Sequence, residues 1–600
     1  MTALITRHFK IHNAIQFFES FSETTPTRYY FFIGRTAPYA NALPITGTVK
    51  TTSSSNTIIG QGTYFDSQLA VGDRIGVTGQ SGVVRVHSIG GAQTMVVTPR
   101  PSVSITTGAN AYNRKLYSEL MPPDVDPSYQ NTYYDVWRNM IALKKFQTSD
   151  VSHVVPRYQW TSGTVYSEYD DNDASLYEKQ FYASTTEGRV YKCIDNNQGV
   201  VSTVKPTTTD SSNIELTSDG YRWKYMYTIS SGEALKFQTN AFMPVKTLSA
   251  NDGSAQWSVQ QSASNGAIQH VKVLAGGTGY LSTTNTFQTI VNASFFVIKS
   301  NASPIDGSYV GSSLYISEGA GSGQIRKVVK YWGANNTLVV NSAFTSSPNT
   351  TSRYVISPTV TIRGDSGLTA VSRATAYVSN TFGGQVRRIT IVSQGRSYSS
   401  ANVIITANSV YGRGAAARPI ISPRGGHGKD PVDELFGTSI IMNVKVAGSE
   451  SNTFPTNNDF RVIGVVRDPV LANGSYANSS VIDQTTRISL EEVSGDFVAD
   501  EIVTGRTSGA KARVVYFANN NTAKSNGILK VIRVSTSGVG QSFEQSEIIV
   551  GTTSAVTANV QLVTKPALQQ FSGIVIYTEN RTAIARSPEQ TEDFKIVIKY

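Results

Sequence analysis

The stretch DGYRWKYMYTI, residues 219–229, reads as a turn pair followed by a strand. After Asp219-Gly220, the residues Tyr221, Trp223, Tyr225, Tyr227 and Ile229 alternate with Arg222, Lys224, Met226 and Thr228. Successive side chains of a strand point to opposite faces, so the alternation predicts one face that is almost wholly aromatic. Such a face suits either a sandwich core or subunit interface, or a platform on which flat rings stack against sugars. The core or interface reading is preferred, because strict alternation fits a strand packed within a sheet.

Composition points the same way. The chain has 600 residues, about four domains at the usual size of roughly 150. Only 16% of residues are charged, against about 25% in an average domain. Ser, Thr, Asn and Gly fill the difference, which suits short strands joined by polar turns and disfavours long helices. The expected class is mainly β: a discontinuous β-sandwich core with a few short helices, plus several inserted small β-sandwich or β-barrel-like modules. Lys and Arg exceed Asp and Glu by 52 to 42. The excess is spread thinly and no basic run exceeds pairs such as Lys144-Lys145 and Arg387-Arg388, so no nucleic-acid groove is expected. No stretch approaches the roughly 18 apolar residues of a membrane span. With Cys193 alone, an intrachain disulfide is excluded, and a soluble, reducing compartment is expected.

Outward from residues 219–229, the style of the sequence changes several times. Ile11, Ala14, Ile15, Phe18 and Phe21 recur at helical spacing, and Arg28–Ile33 follows as a buried strand. Residues 134–144 are expected to be helical. The ending alternates Phe594, Ile596, Ile598 and Tyr600 with Lys595, Val597 and Lys599. Between these lie Gly- and Ser-rich stretches with internal echoes. Val271, Val273, Gly277 and Tyr280 match Ile389, Ile391, Gly395 and Tyr398 at an offset of 118. Phe497, Glu501, Gly505, Ser508 and Ala512 match Phe543, Glu547, Gly551, Ser554 and Ala558 at an offset of 46. Two copies do not make a solenoid. The expected division is a core fed by 1–45, 113–248 and 566–600, an inserted β module at 46–112, further inserted modules at 249–380 and 381–480, and two duplicated hairpin modules at 481–565.

A search for chemistry yields no catalytic constellation, and no catalytic, cofactor-binding or metal residues are assigned. G-x-S-x-G and H-E-x-x-H are absent. His8 and His12 share an i, i+4 spacing without an acidic partner nearby, and are read as a solvated helix face. Gly425-Gly426-His427-Gly428-Lys429-Asp430 is superficially like a phosphate loop. It lacks the earlier Gly and the following Ser or Thr, so its glycines are read as turn residues. Asp170, Asp171 and Asp173 lack the Gly and distant Glu of a calcium loop and are read as solvated.

Six phrases in order resemble a known family, the homodimeric baseplate wedge subunit of T-even-like contractile-tailed phages. They are ALITRHFKIHNAIQFFESF (3–21), FFIGRTAPY (31–39), DVWRNMIALKKFQTSDVSHVVPRYQW (135–160), RVYKCID (189–195), DGYRWKYMYTI (219–229) and GIVIYTENRTAIARSPEQTEDFKIVIKY (573–600). The resemblance covers well under half of the chain, and the shorter family members lack much of 47–108 and most of 251–565. It implies a dimeric β-sandwich scaffold without enzymatic activity or cofactor. It also implies a place in the virion tail, assembled in the host cytoplasm, with partners among other wedge proteins, tail-fibre or peripheral baseplate proteins, and neither nucleic acid nor membrane insertion. The alternative is a carbohydrate-binding or carbohydrate-cleaving tail protein. Residues 251–565 hold only Trp257 and Trp332, few rings for a sugar groove, and two repeat pairs fall short of the many repeats of a β-helical depolymerase.

Overall fold

The computed structural model describes residues 6–35, 43–80, 83–113, 122, 125, 128–364, 372–408, 410–456, 458–519, 525–533 and 542–600. Residues 3–5 and 36–39 of the quoted phrases lie outside them. Strands take 45% of the described residues and helices 11%, so the protein is mainly β, built of several sheets and small closed barrels. Among the described residues no helix is long and apolar enough to cross a membrane. The chain forms two compact units: Met1–Gln16, Ser152–Ile441 and Val597–Tyr600 make one, Phe17–Val151 and Met442–Ile596 the other.

In the second unit, Tyr29–Gly34 is the centre of a five-stranded sheet. It lies between Met140–Lys145 and Asn458–Arg467, with Val481–Asp483 and Ile574–Arg586 at the edges. All six residues of Tyr29–Gly34 are buried, as an apolar run in a central strand must be. Two sequence expectations change here. The helix spans Tyr129–Asn139, and Met140–Lys145 leaves it as a strand. Met140, Ile141, Ala142 and Leu143 are all buried, and a strand flanked on both sides buries such a continuous run where an amphipathic helix would expose part of it. Strand Asn458–Arg467, placed by sequence among the inserted modules of 381–480, pairs through Val462–Arg467 with all of Tyr29–Gly34.

The 46–112 stretch, joined by Leu43–Pro44 and Asn113, folds as an eight-stranded sheet around Val49, Ile58, Phe65, Ile75, Met95 and Val97. The two hairpins of 481–565 are halves of one closed six-stranded barrel rather than separate modules. Ile502–Gly505 pairs with Ile548–Gly551, and Thr486–Glu491 and Asn526–Arg533 complete the ring. An isolated hairpin is marginal in water, and closure gives both copies one core at Ile488, Val503, Val514, Leu529, Ile549 and Val560.

The 46-residue echo has a physical cause in this barrel. The Glu501 carboxylate accepts Val498 N (2.7 Å), Thr553 N (3.0 Å), Ser554 N (2.9 Å) and Ser554 Oγ (2.8 Å). Reciprocally, Glu547 accepts Glu544 N (2.7 Å), Thr507 N (3.2 Å), Ser508 N (3.0 Å) and Ser508 Oγ (2.9 Å). Each repeat thus supplies the carboxylate that holds the other repeat's turn. The matched glycines follow: a Cβ at Gly505 would stand 2.4 Å from Glu547 Oε2, and one at Gly551 2.6 Å from Glu501 Oε2.

In the first unit, Thr283–Asn292, Phe295–Ile298, Thr337–Val340, Ile325–Trp332, Ser313–Glu318 and Arg353–Ser357 close a second barrel. The 118-residue echo is reciprocal too. Tyr280 N donates to Gly384 O (2.9 Å) and Tyr398 N to Gly266 O (3.1 Å). Tyr280 Oη accepts Ala415 N, and Tyr398 Oη accepts Ala374 N. Both copies share one apolar cluster with Val271, Val378 and Ile389. The expected boundary at 380/381 therefore falls inside a hairpin, Thr375–Phe382 against Gln385–Ser393.

Candidate functional site

The aromatic strand is Arg222–Thr228, paired with Arg189–Asp195. Tyr221, Trp223, Tyr225, Tyr227 and Ile229 are all buried, at 6% exposure or less. They do not share one face. Val190 pairs with Tyr227 and Tyr191 with Tyr225, so Met226 is an extra residue on the strand. A bulge of one residue reverses the alternation beyond it. Tyr221, Trp223 and Tyr225 pack with Tyr166, Tyr191 and Cys193, whereas Tyr227 and Ile229 pack with Val190, Met243 and Leu435. Trp223 lies against Tyr221 (5.5 Å, interplanar 15°) and Tyr166 (5.3 Å, 73°). The rings fill two cores, and no ring surface is left for a sugar to stack on.

A cleft of about 350 Å³ opens in the same unit, lined by Glu168, Asp195, Gln198, His270, Lys272 and Arg388 among others. Asp195 ends the strand Arg189–Asp195, and His270 and Lys272 project from one face of Ile268–Thr278 at a spacing of two. Glu168 Oε1 meets Lys272 Nζ at 2.7 Å, and its Oε2 lies 3.5 Å from His270 Nε2. On the other side of the ring, His270 Nδ1 lies 3.7 Å from Asp195 Oδ2, which Arg388 Nη2 holds at 2.7 Å. Burial pushes the Glu168 carboxyl up, but His270 and Lys272 outweigh it and hold it down at about 2. Glu168, Asp195 and His270 offer three ligand atoms within 4.8 Å of one another. Each carboxylate already has its own cation, however, so a divalent ion there would sit beside Lys272 and Arg388 with no net negative charge to hold it. The chemistry of the cleft is that of a charge-alternating network joining the loop at Glu168 to three strands.

The Gly-rich loop binds an anion, and the anion is the protein's own. Gly428 N (2.7 Å) and Asp430 N (3.2 Å) both donate to Glu434 Oε1. Glu434 Oε2 pairs with Lys192 Nζ, the two side chains being 0% and 1% exposed. A Cβ at Gly426 would lie 2.4 Å from Ser264 N, and one at Gly428 2.3 Å from Val259, so the loop is packed against its surroundings and has no space for a phosphate. His427 is buried with its ring edge-on to Tyr169 (4.8 Å). Burial, reinforced by Lys192 and Lys224, pushes its imidazole well below the usual range.

The other sequence candidates separate. His8 and His12 lie exposed on the helix Arg7–Glu19. Asp170 and Asp171 both pair with Arg418, and Asp173 with Lys179. Cys193 is a buried thiol in the first aromatic core. The Glu168 and Lys192 clusters had no local signature, because their members come from segments tens to hundreds of residues apart.

These groups set an acid limit. Burial pushes His153 down to about 4, so on acidification the unfolded chain takes up this proton first. Stability from His153 is complete above the ordinary value near 6.5 and lost as pH falls towards 4, by up to about 3 kcal/mol. Glu168, depressed from its ordinary 4.5, adds a further loss below that value. The calorimetric midpoint is therefore expected to fall steadily from pH 7 to pH 4, and His153→Gln to flatten that fall. An unchanged slope in the variant would refute the assignment. Compared with known proteins, the chain matches no protein-family model and no curated protein.

Proposed function

We propose that the chain is a structural subunit of a contractile phage-tail baseplate, a wedge protein that dimerises and joins other wedge proteins during assembly. One observation carries the reading. The phrases that resemble the wedge family supply residues buried in the framework strands, whereas long stretches between them form units with cores of their own. Phe31, Phe32, Ile141, Leu143, Val154, Tyr191, Trp223, Phe594 and Ile596, all within the phrases, are buried. By contrast, the eight-stranded sheet of 43–113 and the barrels of 283–357 and 486–564 each enclose a separate apolar cluster. A family core extended by insertions has this pattern, since loop-closure entropy rises only slowly with insert length. In this reading the protein works by holding partners in place, without catalysis, in the virion tail and, during assembly, in the host cytoplasm.

The glycan alternative loses its aromatic ladder to the core and retains Trp332, 40% exposed, on the first-unit barrel. Light scattering of the purified chain tests the two. The expected mass is twice 64.8 kDa, growing into a discrete larger complex when the remaining proteins of its tail gene cluster are added. A stable monomer that ignores those proteins would refute the wedge reading. Trp332-dependent binding to host envelope glycans would put the alternative in its place.

A further inference from the structure

Lys192 and Glu434 stand 242 positions apart in sequence, yet Nζ lies directly against Oε2 in the interior of the first unit. An ion pair out of water is a costly way to hold two elements together, because desolvation opposes most of the Coulombic attraction. The surroundings are those that amide formation needs. The other carboxyl oxygen, Oε1, receives Gly428 N and Asp430 N at 2.7 and 3.2 Å. Two fixed N–H donors on one oxygen are what stabilises the negative charge of a tetrahedral intermediate at an acyl carbon. The Tyr169 ring covers Nζ at 4.7 Å, and neither side chain touches solvent, so water is kept from the bond once it is made.

The protonation states agree. Burial, opposed by the charge of Glu434, pushes the Lys192 ammonium down towards the nucleophilic free amine. A second carboxyl, Asp433, acts electrostatically on Lys192 and is itself pushed up by burial and by Asp430.

We propose that Lys192 and Glu434 condense into an intramolecular isopeptide bond. The Nζ lone pair attacks Cδ of Glu434, and the negative charge gathers on Oε1 under the N–H groups of Gly428 and Asp430. The Cδ–Oε2 bond then breaks, and Oε2 leaves as water with two of the three ammonium protons. One N–H remains on the new amide. The ion pair contains every atom required, nothing is oxidised or reduced, and no co-reactant takes part. The bond ties strand Arg189–Asp195 to the short helix Pro431–Glu434 and closes a long loop, which restricts the unfolded chain. It does not depend on the wedge reading.

Denaturing mass spectrometry of the full-length chain tests it. The expected mass is lower than that of the sequence by one water. Trypsin is expected to release a branched peptide in which residues 190–222 are joined to 430–445, uncut after Lys192. Lys192→Arg is expected to restore the full mass and remove the branched peptide. The full sequence mass in the wild-type chain would overturn the proposal. So would a missing water that maps to an Asp-Gly pair such as Asp219-Gly220 or Asp252-Gly253 instead of to the branched peptide.

Discussion

Trp223→Ala is expected to lower the stability of the first unit by about 3–5 kcal/mol, the range for removing a large aromatic from a packed core. The side chain is fully buried between Tyr221 and Tyr166, opposite Cys193 on the neighbouring strand. Alanine leaves a void that these rings fill only by abandoning their stacked and edge-on contacts. The indole Nε1 has no hydrogen-bond partner, so the loss is one of packing rather than of a polar contact. Trp332→Ala is the control. At 40% exposure and beside Phe295 it removes less buried area and no enclosed contact, and a cost clearly smaller than that of Trp223→Ala is expected. Scanning calorimetry of both variants decides between core strand and sugar platform: equal midpoints for Trp223→Ala and wild type would contradict the burial and return the ladder to the surface.

The second large effect lies in the barrel of 486–564. Glu501→Ala removes the acceptor of four hydrogen bonds and leaves the turn at Thr553-Ser554 without its anchor. A loss of about 1.5–3 kcal/mol is expected, because part-buried donors lose a charged acceptor. Glu547→Ala is expected to cost the same, since it holds the Thr507-Ser508 turn in the mirror arrangement. Gly505→Ala should imitate Glu547→Ala without removing the carboxylate, because the new Cβ would stand 2.4 Å from Oε2 and force it from the turn. The acid dependence has a definite sign. Burial pushes the Glu501 carboxyl up, but the N–H groups of Ser554, Val498 and Thr553 and the Ser554 hydroxyl outweigh it and hold it below its ordinary 4.5. Its contribution is complete above that value and lost as pH falls through the lower folded value. Urea titrations at pH 7 and pH 4 are expected to show a smaller cost of Glu501→Ala at the lower pH. An equal cost at both would mean that hydrogen bonding to the ionised form is not what holds the turn.

The class of the protein was legible because period-2 patterning and turn residues are local properties. The same is true of the echoes at offsets of 118 and 46, which a constant spacing reveals without any structure. Their meaning was not legible. In the sequence Glu501 and Glu547 are matched positions only, and barrel closure shows each reaching into the other's turn. The strand Met140–Lys145 was misread for a related reason. Its apolar run fits a buried strand and a helix equally well, and the pairing with Tyr29–Gly34 decides between them.

The sequence by itself determined the mainly-β class, the duplicated segments and the buried character of the aromatic strand, because each rests on neighbours within a few positions or on an exact spacing. Only the tertiary structure decided which face Tyr227 and Ile229 occupy, since a one-residue bulge at Met226 depends on the partner strand. It also decided that Glu434 is the anion in the Gly-rich loop and that Glu168, His270 and Asp195 meet in one cleft. Glu434 lies within six residues of the loop it fills, but its ion pair with Lys192 and the meeting of Glu168, His270 and Asp195 join residues tens to hundreds of positions apart, and no local pattern encodes a contact whose energy appears only after the chain between them has folded.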